Sequence, residues 1–452
     1  HALSIAFLIV ALLLAIVFVF ISLSFLGLFL SELGLWIFWV PLIFIIISIP
    51  FLINYALLHP QTDFFLLLTS TIINLFVFMK LLSPFFKVVR TNKRIKKQFC
   101  KVLGDDYLLF VAPETKTSLL KNIRFKFSLC FSGIMFKRFN KEIISLNDLP
   151  YRTIDNRTLK MNVLHPKKKG RYPILIYFHG GGWIRGSKDR HLETRILKRL
   201  ALRGYTIFNV EYRLAPQSTL STLTKIPHDK PTIRQMVSDI RAAILFMKRH
   251  SEEYFGDREN LFLFGRSAGA HLALLTTFSC EEKFFAMENI YCSFDDASVA
   301  GVIAFYPITD VTELYSFYQK EVNPILKQAI YRGTAGTFDE TKNLFKIFSP
   351  ISYLSTVAAN NIPPIFLAAG KKDRIVDAYQ SEELHKDLQE RGITSIYIEL
   401  PWANHGFDIV INGPGGQLVF QYMHQFLQWI VNTKRFQVLL GRLNNLALSR
   451  FW

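Results

Sequence analysis

No lysine or arginine occurs before Lys80 in this chain of 452 residues, where the only acids are Glu32 and Asp63. The net charge of +18 therefore belongs entirely to the remainder. Cysteine is scarce as well. Cys100, Cys130, Cys280 and Cys292 form no CxxC pair and no Cys/His spacing suited to zinc, so they read as four free thiols. A Cys280–Cys292 disulfide would need an oxidising compartment, which the charge pattern described below argues against. HExxH, a phosphate-loop lysine motif and a paired carboxylate cluster for a metal are all missing, and neither a metal nor a cofactor is expected. The basic excess comes with no groove-reading motif, which argues against nucleic acid as a partner. Positive charge beside long apolar segments instead reflects membrane topology. There is no internal repeat.

Half of the chain is hydrophobic, with 42 Phe, and the length suggests two or three units. Three apolar runs open it, over Ala2–Leu30, Leu35–Leu58 and Phe64–Leu82. A span needs about 20 predominantly apolar residues. The first two runs meet that length. The third carries Thr69, Ser70, Thr71, Asn74 and Lys80, and either crosses or lies along the interface. The first run lacks the basic n-region of a signal peptide and is too long for one. Lys87-Val-Val-Arg-Thr-Asn-Lys-Arg-Ile-Lys-Lys97 follows as the first basic cluster. Such clusters stay cytoplasmic, so an integral, multi-pass protein is predicted with the rest of its chain on the cytoplasmic side. Three spans would put the N-terminus opposite, whereas a third run that does not cross would leave it cytoplasmic too. Residues 1–85 are read as a transmembrane region of two to three helices, and 86–145 as a basic juxtamembrane and cap segment that includes the apolar stretch Phe125–Phe136. Residues 434–452 form a basic and apolar tail.

Between them, over 146–433, the pattern alternates. Strands are predicted at Thr158–Leu164, Ile174–Phe178, Tyr205–Glu211, Leu261–Phe264, Val299–Phe305, Pro364–Ala368 and Ser395–Leu400. Helical periodicity falls at His191–Arg203, Arg234–His250, Ala268–Thr277, Ala378–Arg391 and Gln417–Asn432. That order predicts an α/β fold with a mostly parallel sheet, whose sites lie at the carboxyl ends of its strands.

Two strands end in small residues. Gly265-Arg-Ser-Ala-Gly269 has the form G-x-S-x-G between a strand and a helix, where flanking glycines make room for a sharp turn that exposes a serine Oγ. A serine at its ordinary pKa is a weak nucleophile and needs a histidine base with an acid to orient it, in the order Ser, acid, His. Asp373 and His405 each follow a strand end, on the face that carries Ser267. Asp377 is expected to cap the next helix, and His385 and His424 lie inside helices. The other break is His179-Gly-Gly-Gly-Trp183. Its Gly181 and Gly182, with Ala268 after the serine, offer backbone N–H donors for an oxyanion. A dinucleotide fingerprint fits these glycines less well, because Gly186 comes one residue too late and no clean helix start follows.

Together these residues resemble the hormone-sensitive-lipase-like, carboxylesterase branch of the α/β-hydrolases. His179-Gly-Gly-Gly-Trp183, Tyr212-Arg-Leu-Ala-Pro216, Gly265-Arg-Ser-Ala-Gly269, Ser349-Pro350, Asp373 and His405-Gly-Phe407 recur in order. Gly269-Ala-His-Leu-Ala-Leu274 and His405-Gly-Phe-Asp408 are also similar to feruloyl-esterase-like and isoprenylcysteine-methylesterase-like hydrolases. The resemblance implies an α/β-hydrolase fold with Ser267 as nucleophile, His405 as general base and acid, and Asp373 as orienting acid. It implies an oxyanion hole of Gly181, Gly182 and Ala268, with Gly265 and Gly269 shaping the elbow and His179 buttressing the glycine loop. The expected activity is cleavage of a small-molecule or lipid ester through an acyl-enzyme, by an enzyme tethered to a bilayer. A ligand-binding receptor on the same fold, expected to lack His405, and a membrane acyltransferase are the alternatives. Arg266 departs from the Asp, Gln, Glu or His that relatives often carry there. Gln217–Pro231 and Thr309–Phe348 read as expansions suited to a lid.

Overall fold

A computed structural model describes residues 2–23, 32–33, 37–58, 62–111, 124–130, 142–154, 156–215, 232–286, 298–320, 324–334 and 338–448. The lid candidate Gln217–Pro231, Cys292 and residues 131–136 of the apolar stretch lie outside them. Cys100, Cys130 and Cys280 are free thiols.

Among the described residues, eight strands make one sheet: β1 (Ile143–Ile154), β2 (Arg157–Pro166), β3 (Tyr172–Phe178), β4 (Thr206–Val210), β5 (Gly256–Arg266), β6 (Gly301–Phe305), β7 (Ile365–Gly370) and β8 (Ser395–Leu400). Their spatial order is β1-β2-β4-β3-β5-β6-β7-β8. β1 and β2 are antiparallel additions, while β4, β3 and β5 to β8 run parallel. β3 is buried along its whole length, as expected of a parallel strand covered on both faces. Its side chains still alternate. Ile174, Ile176 and Phe178 enter one core, Leu175 and Tyr177 the other.

The helices are α1 (Ala2–Leu23), α2 (Trp39–Leu58), α3 (Thr62–Leu103), α4 (Phe127–Cys130), α5 (His191–Leu202), α6 (Ile233–His250), α7 (Ala268–Phe278), α8 (Val311–Lys320), α9 (Pro324–Thr334), α10 (Phe338–Ile347), α11 (Ala378–Glu390) and α12 (Pro414–Leu448). Helices α6 and α7 cover the first face of the sheet, and α5 and α12 the second. Among the described residues, the expansion at Thr309–Phe348 holds α8, α9 and α10.

Two helical stretches, Trp39–Leu57 and Asp63–Leu103, are long and apolar enough to cross a membrane, and Ala2–Val17 is a shorter apolar helical stretch. Exposed Ile43, Ile46, Ile53, Leu57, Phe65, Ile72 and Phe76 line them. The third apolar run and the basic cluster form one helix of 42 residues. The cluster hides a second periodicity, because Val88, Ile95, Phe99 and Leu103 are buried in the core beneath β8 and α12. Only the outward face of α3 is cationic there.

Candidate active site

The peptide after β5 cannot continue as a strand, because Ala268 already begins α7. Ser267 makes the turn alone at φ 53° and ψ −123°. A non-glycine residue at that φ costs on the order of 1–3 kcal/mol and is held only by its surroundings. Here Ser267 N donates to Phe305 O at 2.9 Å, and α7 packs back on β3. A methyl group at Gly269 would lie 2.2 Å from Phe178 O, so this position must lack a side chain. Gly265 is equally tight against Gly269. Ser267 remains partly exposed between buried Arg266 and Ala268.

The loop after β3 lies against that turn. A methyl group at Gly180 would come 2.9 Å from Arg266 O and 3.2 Å from the Ser267 Cβ. Gly181 has φ 139°, and a methyl group on it would overlap Arg185 O at 1.7 Å. Gly182 and Trp183 follow at φ 60° and 64°. His179 supports the loop from beneath. Its ring stacks on Tyr212 at 4.5 Å, and the Tyr212 hydroxyl donates to His179 O at 2.7 Å. Burial lowers the His179 pKa, which favours a neutral ring.

Asp373 and His405 meet. His405 Nδ1 lies 2.7 Å from Asp373 Oδ2, while the other Asp373 oxygen accepts the N–H groups of Ile375 and Val376 at 2.8 and 2.9 Å. Asn404 Oδ1 accepts from Arg374 N and His405 N at 3.1 and 2.7 Å, stitching the two loops together. Asp377 caps α11 through Tyr379 N. His385 and His424 are engaged elsewhere, with Ser395 and Tyr205. Among the described residues, no hydrogen bond joins Ser267 Oγ to His405. Such bonds are often long in unliganded sites and tighten when substrate is bound.

Two supports were not read from the sequence. One is ionic. Arg266 is buried and bonds Asp408 at 2.7–2.8 Å and the Tyr306 hydroxyl at 3.0 Å. Tyr306 in turn donates to Asp408 at 2.6 Å, and its ring lies 4.3 Å from that of His405. Glu193 stands 3.6 Å from Arg266 and accepts from the Tyr177 hydroxyl. Burial alone would lower the Arg266 pKa, but the Asp408 carboxylate, with Tyr306, Tyr177 and Glu193, outweighs it and keeps the guanidinium charged. The sequence showed the Arg266 departure but not its partner.

The other support is neutral. Trp183 Nε1 donates to His271 Nδ1 at 3.1 Å, and His271 Nε2 lies 2.7 Å from Phe348 O, where α10 returns. This chain ties the glycine loop, α7 and the α8–α10 insertion together. Burial pulls the His271 pKa down to about 4. The insertion itself lies over the loop, with Ala329 Cβ 3.4 Å from a methyl group built on Gly182, and Gly333 close to the Trp183 ring.

The chain is similar to Esterase LipQ of Mycobacterium tuberculosis, at 29% identity over 53% of this chain and 51% of that one. It is similar to the isoprenylcysteine alpha-carbonyl methylesterase ICME of Arabidopsis thaliana, at 27% identity over 49% of this chain and 48% of that one. It thus spans about half the length of the curated relatives it matches. Among solved structures, esterase B from Lactobacillus rhamnosis superposes with a TM-score of 0.52 at 17% identity, covering 78% of this chain and 98% of that one. At that identity the likeness establishes the α/β-hydrolase-like fold. The BD-FAE family model matches residues 161–388, half of the chain, taking in the glycine loop, the serine turn and Asp373 but ending before His405. By that match the chain belongs to the BD-FAE family.

Proposed function

We propose that the protein is a membrane-tethered serine hydrolase that cleaves carboxylic esters through an acyl-enzyme. The observation that carries this reading is the 2.7 Å contact between His405 Nδ1 and Asp373 Oδ2, at the end of the sheet where Ser267 makes its strained turn. With Asp373 accepting the Nδ1 proton, the lone pair of His405 is on Nε2, the tautomer that can accept a proton from Ser267. Ser267 Oγ then attacks the ester carbonyl as His405 takes the hydroxyl proton. The oxygen that becomes negative is received by the backbone N–H groups of Gly181, Gly182 and Ala268. Collapse breaks the carbon–oxygen bond to the alcohol, which leaves with the proton from His405. Water repeats the sequence on the acyl-serine and releases the acid.

The names of the relatives, an esterase and a methylesterase, support this reaction class. Residues 146–433 form the catalytic unit in this reading, 86–145 its juxtamembrane segment, 1–85 the membrane anchor and 434–452 a tail. The basic cluster on α3 supports a cytoplasmic catalytic unit. Glu32, between α1 and α2, contacts that unit through Trp402 and Gly415. Both this connector and the end of α3 then lie on the catalytic side, which supports three crossings with the N-terminus opposite.

Ser267→Ala is expected to abolish labelling by a fluorophosphonate probe and to lower turnover of a p-nitrophenyl acyl ester by at least about 10³-fold. Labelling equal to that of the parent protein would reject the assignment.

A further inference from the structure

The apolar helices do not emerge from the catalytic unit at an arbitrary place. Near its end, α3 runs antiparallel to β8. Gln98 bonds His385, which bonds Ser395 at the first residue of β8. Four residues earlier in α3, Arg94 donates to the carbonyl of Glu399, near the carboxyl end of the same strand. Moving toward the N-terminus of α3 therefore means moving toward the face that bears Asp373 and His405. Helix α12 gives the same direction independently. Asn432 bonds Phe110 O, whereas Tyr422, nearer the start of α12, bonds Asn92. At 1.5 Å rise per residue, the 14 residues from Arg94 back to Lys80 extend the helix by roughly 21 Å, beyond the carboxyl end of β8.

The loop that holds Asp373 meets α3 on this path, because Glu399 pairs with Lys371 of the loop at 3.6 Å and with Arg94 of α3 at 3.9 Å. Burial, and then the positive charges of Lys87, Lys80 and Arg374, lower the pKa of Lys372. Lys80 and Lys87 are both exposed on α3, two helical turns apart and so on one face, and Lys372 is exposed in the loop beside Asp373. Glu32 supplies a third connection. Its carboxylate accepts from Trp402 Nε1 at 2.8 Å and from Gly415 N at 2.7 Å, where α12 begins. Trp402 is three residues before His405, so the connector between two apolar helices is seated against the loop that carries the base. Glu32 is 1% exposed, and a methyl group on Gly413 or Gly415 would strike its carboxylate. Helix α3, the α1–α2 connector and the start of α12 all point the apolar helices away from the sheet on one side, the side of Ser267.

We propose that the candidate active site faces the bilayer, across a collar formed by Lys80, Lys87 and Lys372 that binds anionic headgroups, and takes its ester from that layer. This rests on the ester-hydrolase reading above and assigns its substrate class: an ester carried in an anionic leaflet, with its acyl or alcohol chain in the bilayer.

The test uses the full chain in phosphatidylcholine vesicles containing phosphatidylglycerol. Ser267 is labelled with a fluorophosphonate bearing a short-linked fluorophore, and two quenchers are compared. A phospholipid with a nitroxide at its headgroup is expected to lower the emission at least about twofold, and aqueous iodide by less. Leaving out phosphatidylglycerol is expected to weaken the nitroxide effect at least about twofold. Iodide quenching equal to or stronger than nitroxide quenching would overturn the orientation. Nitroxide quenching unchanged without phosphatidylglycerol would overturn the anionic collar. In both cases successful labelling would leave the serine-hydrolase reading standing. A probe that fails to label Ser267 would bring down that reading, and the substrate class with it.

Discussion

The two flanks of Ser267 are built on different physics. On the glycine-loop side, position is set by steric contact and neutral hydrogen bonds. A methyl group at Gly181 or Gly269 would overlap backbone, His179 stacks on Tyr212, and Trp183 reaches Phe348 O through His271. On the His405 side, position is set by buried charge. Asp373 meets His405, and Arg266 meets Asp408 three residues further along. The difference fits the work proposed for each flank. Backbone N–H donors need only be fixed in place to receive an oxyanion. A base that gains and loses a proton needs neighbours whose charges do not move with it. A buried Arg–Asp pair tolerates no half measures, because removing one partner strands the other without solvent.

The largest expected effect is therefore on the charged flank. Asp408→Ala leaves the Arg266 guanidinium buried with, among the described residues, only Glu193 at 3.6 Å as a nearby carboxylate. Breaking a buried pair this way typically costs about 3–5 kcal/mol, whereas replacing both partners by apolar side chains is often near neutral. Thermal unfolding in the same detergent should show Asp408→Ala well below the parent and the Arg266→Met, Asp408→Leu double variant between them. If the double variant is as unstable as the single one, packing rather than charge holds this flank and the contrast dissolves.

On the steric flank the expected loss is in rate. Gly181→Ala puts a methyl group onto Arg185 O at a φ of 139°, so the loop must shift. Displacing one oxyanion donor costs roughly 10²–10³ in kcat. The expected outcome is that loss for a short p-nitrophenyl ester, with KM changed much less and a smaller drop in unfolding temperature than for Asp408→Ala. A proportional rise in KM with kcat intact would mean that the loop binds substrate and not the transition state.

The same contrast explains what could be read from the sequence. The parallel strands were legible because burial on both faces makes them unbroken apolar runs. Ser267, Asp373 and His405 were selected by their places at strand ends, and the latter two prove to be in contact. β1 was missed. It is an edge strand with only Ile143 buried and register shifts between Leu146 and Leu149 and between Pro150 and Arg152, so no alternation marks it. The α8–α10 helices read only as an expansion, since their buried residues face an insertion rather than the sheet alone. Arg266 announced itself as a charge out of place, yet its partner lies 142 residues away, a pairing that no local pattern encodes. His271 was visible within the quoted motif, but its bonds to Trp183 and Phe348 depend on three separate segments meeting.

The smallest effect concerns that histidine and separates the flanks by pH. Burial lowers the folded-state pKa of His271 to about 4, against 6.5 for the free side chain. Between those values the unfolded chain binds a proton that the native ring refuses. Stability therefore falls as pH drops from about 6.5 toward about 4, and this group contributes no slope above that window. One proton corresponds to about 1.4 kcal/mol per pH unit. His271→Gln keeps an N–H that can reach Phe348 O but cannot titrate. Its unfolding temperature is expected to lie below that of the parent at pH 7.5 and to approach it as the pH is lowered to 4.5, because only the parent carries the extra slope. Parallel curves would mean that His271 takes up its proton in the folded protein as readily as in the unfolded chain, in which case the glycine-loop flank would not stay neutral over this window.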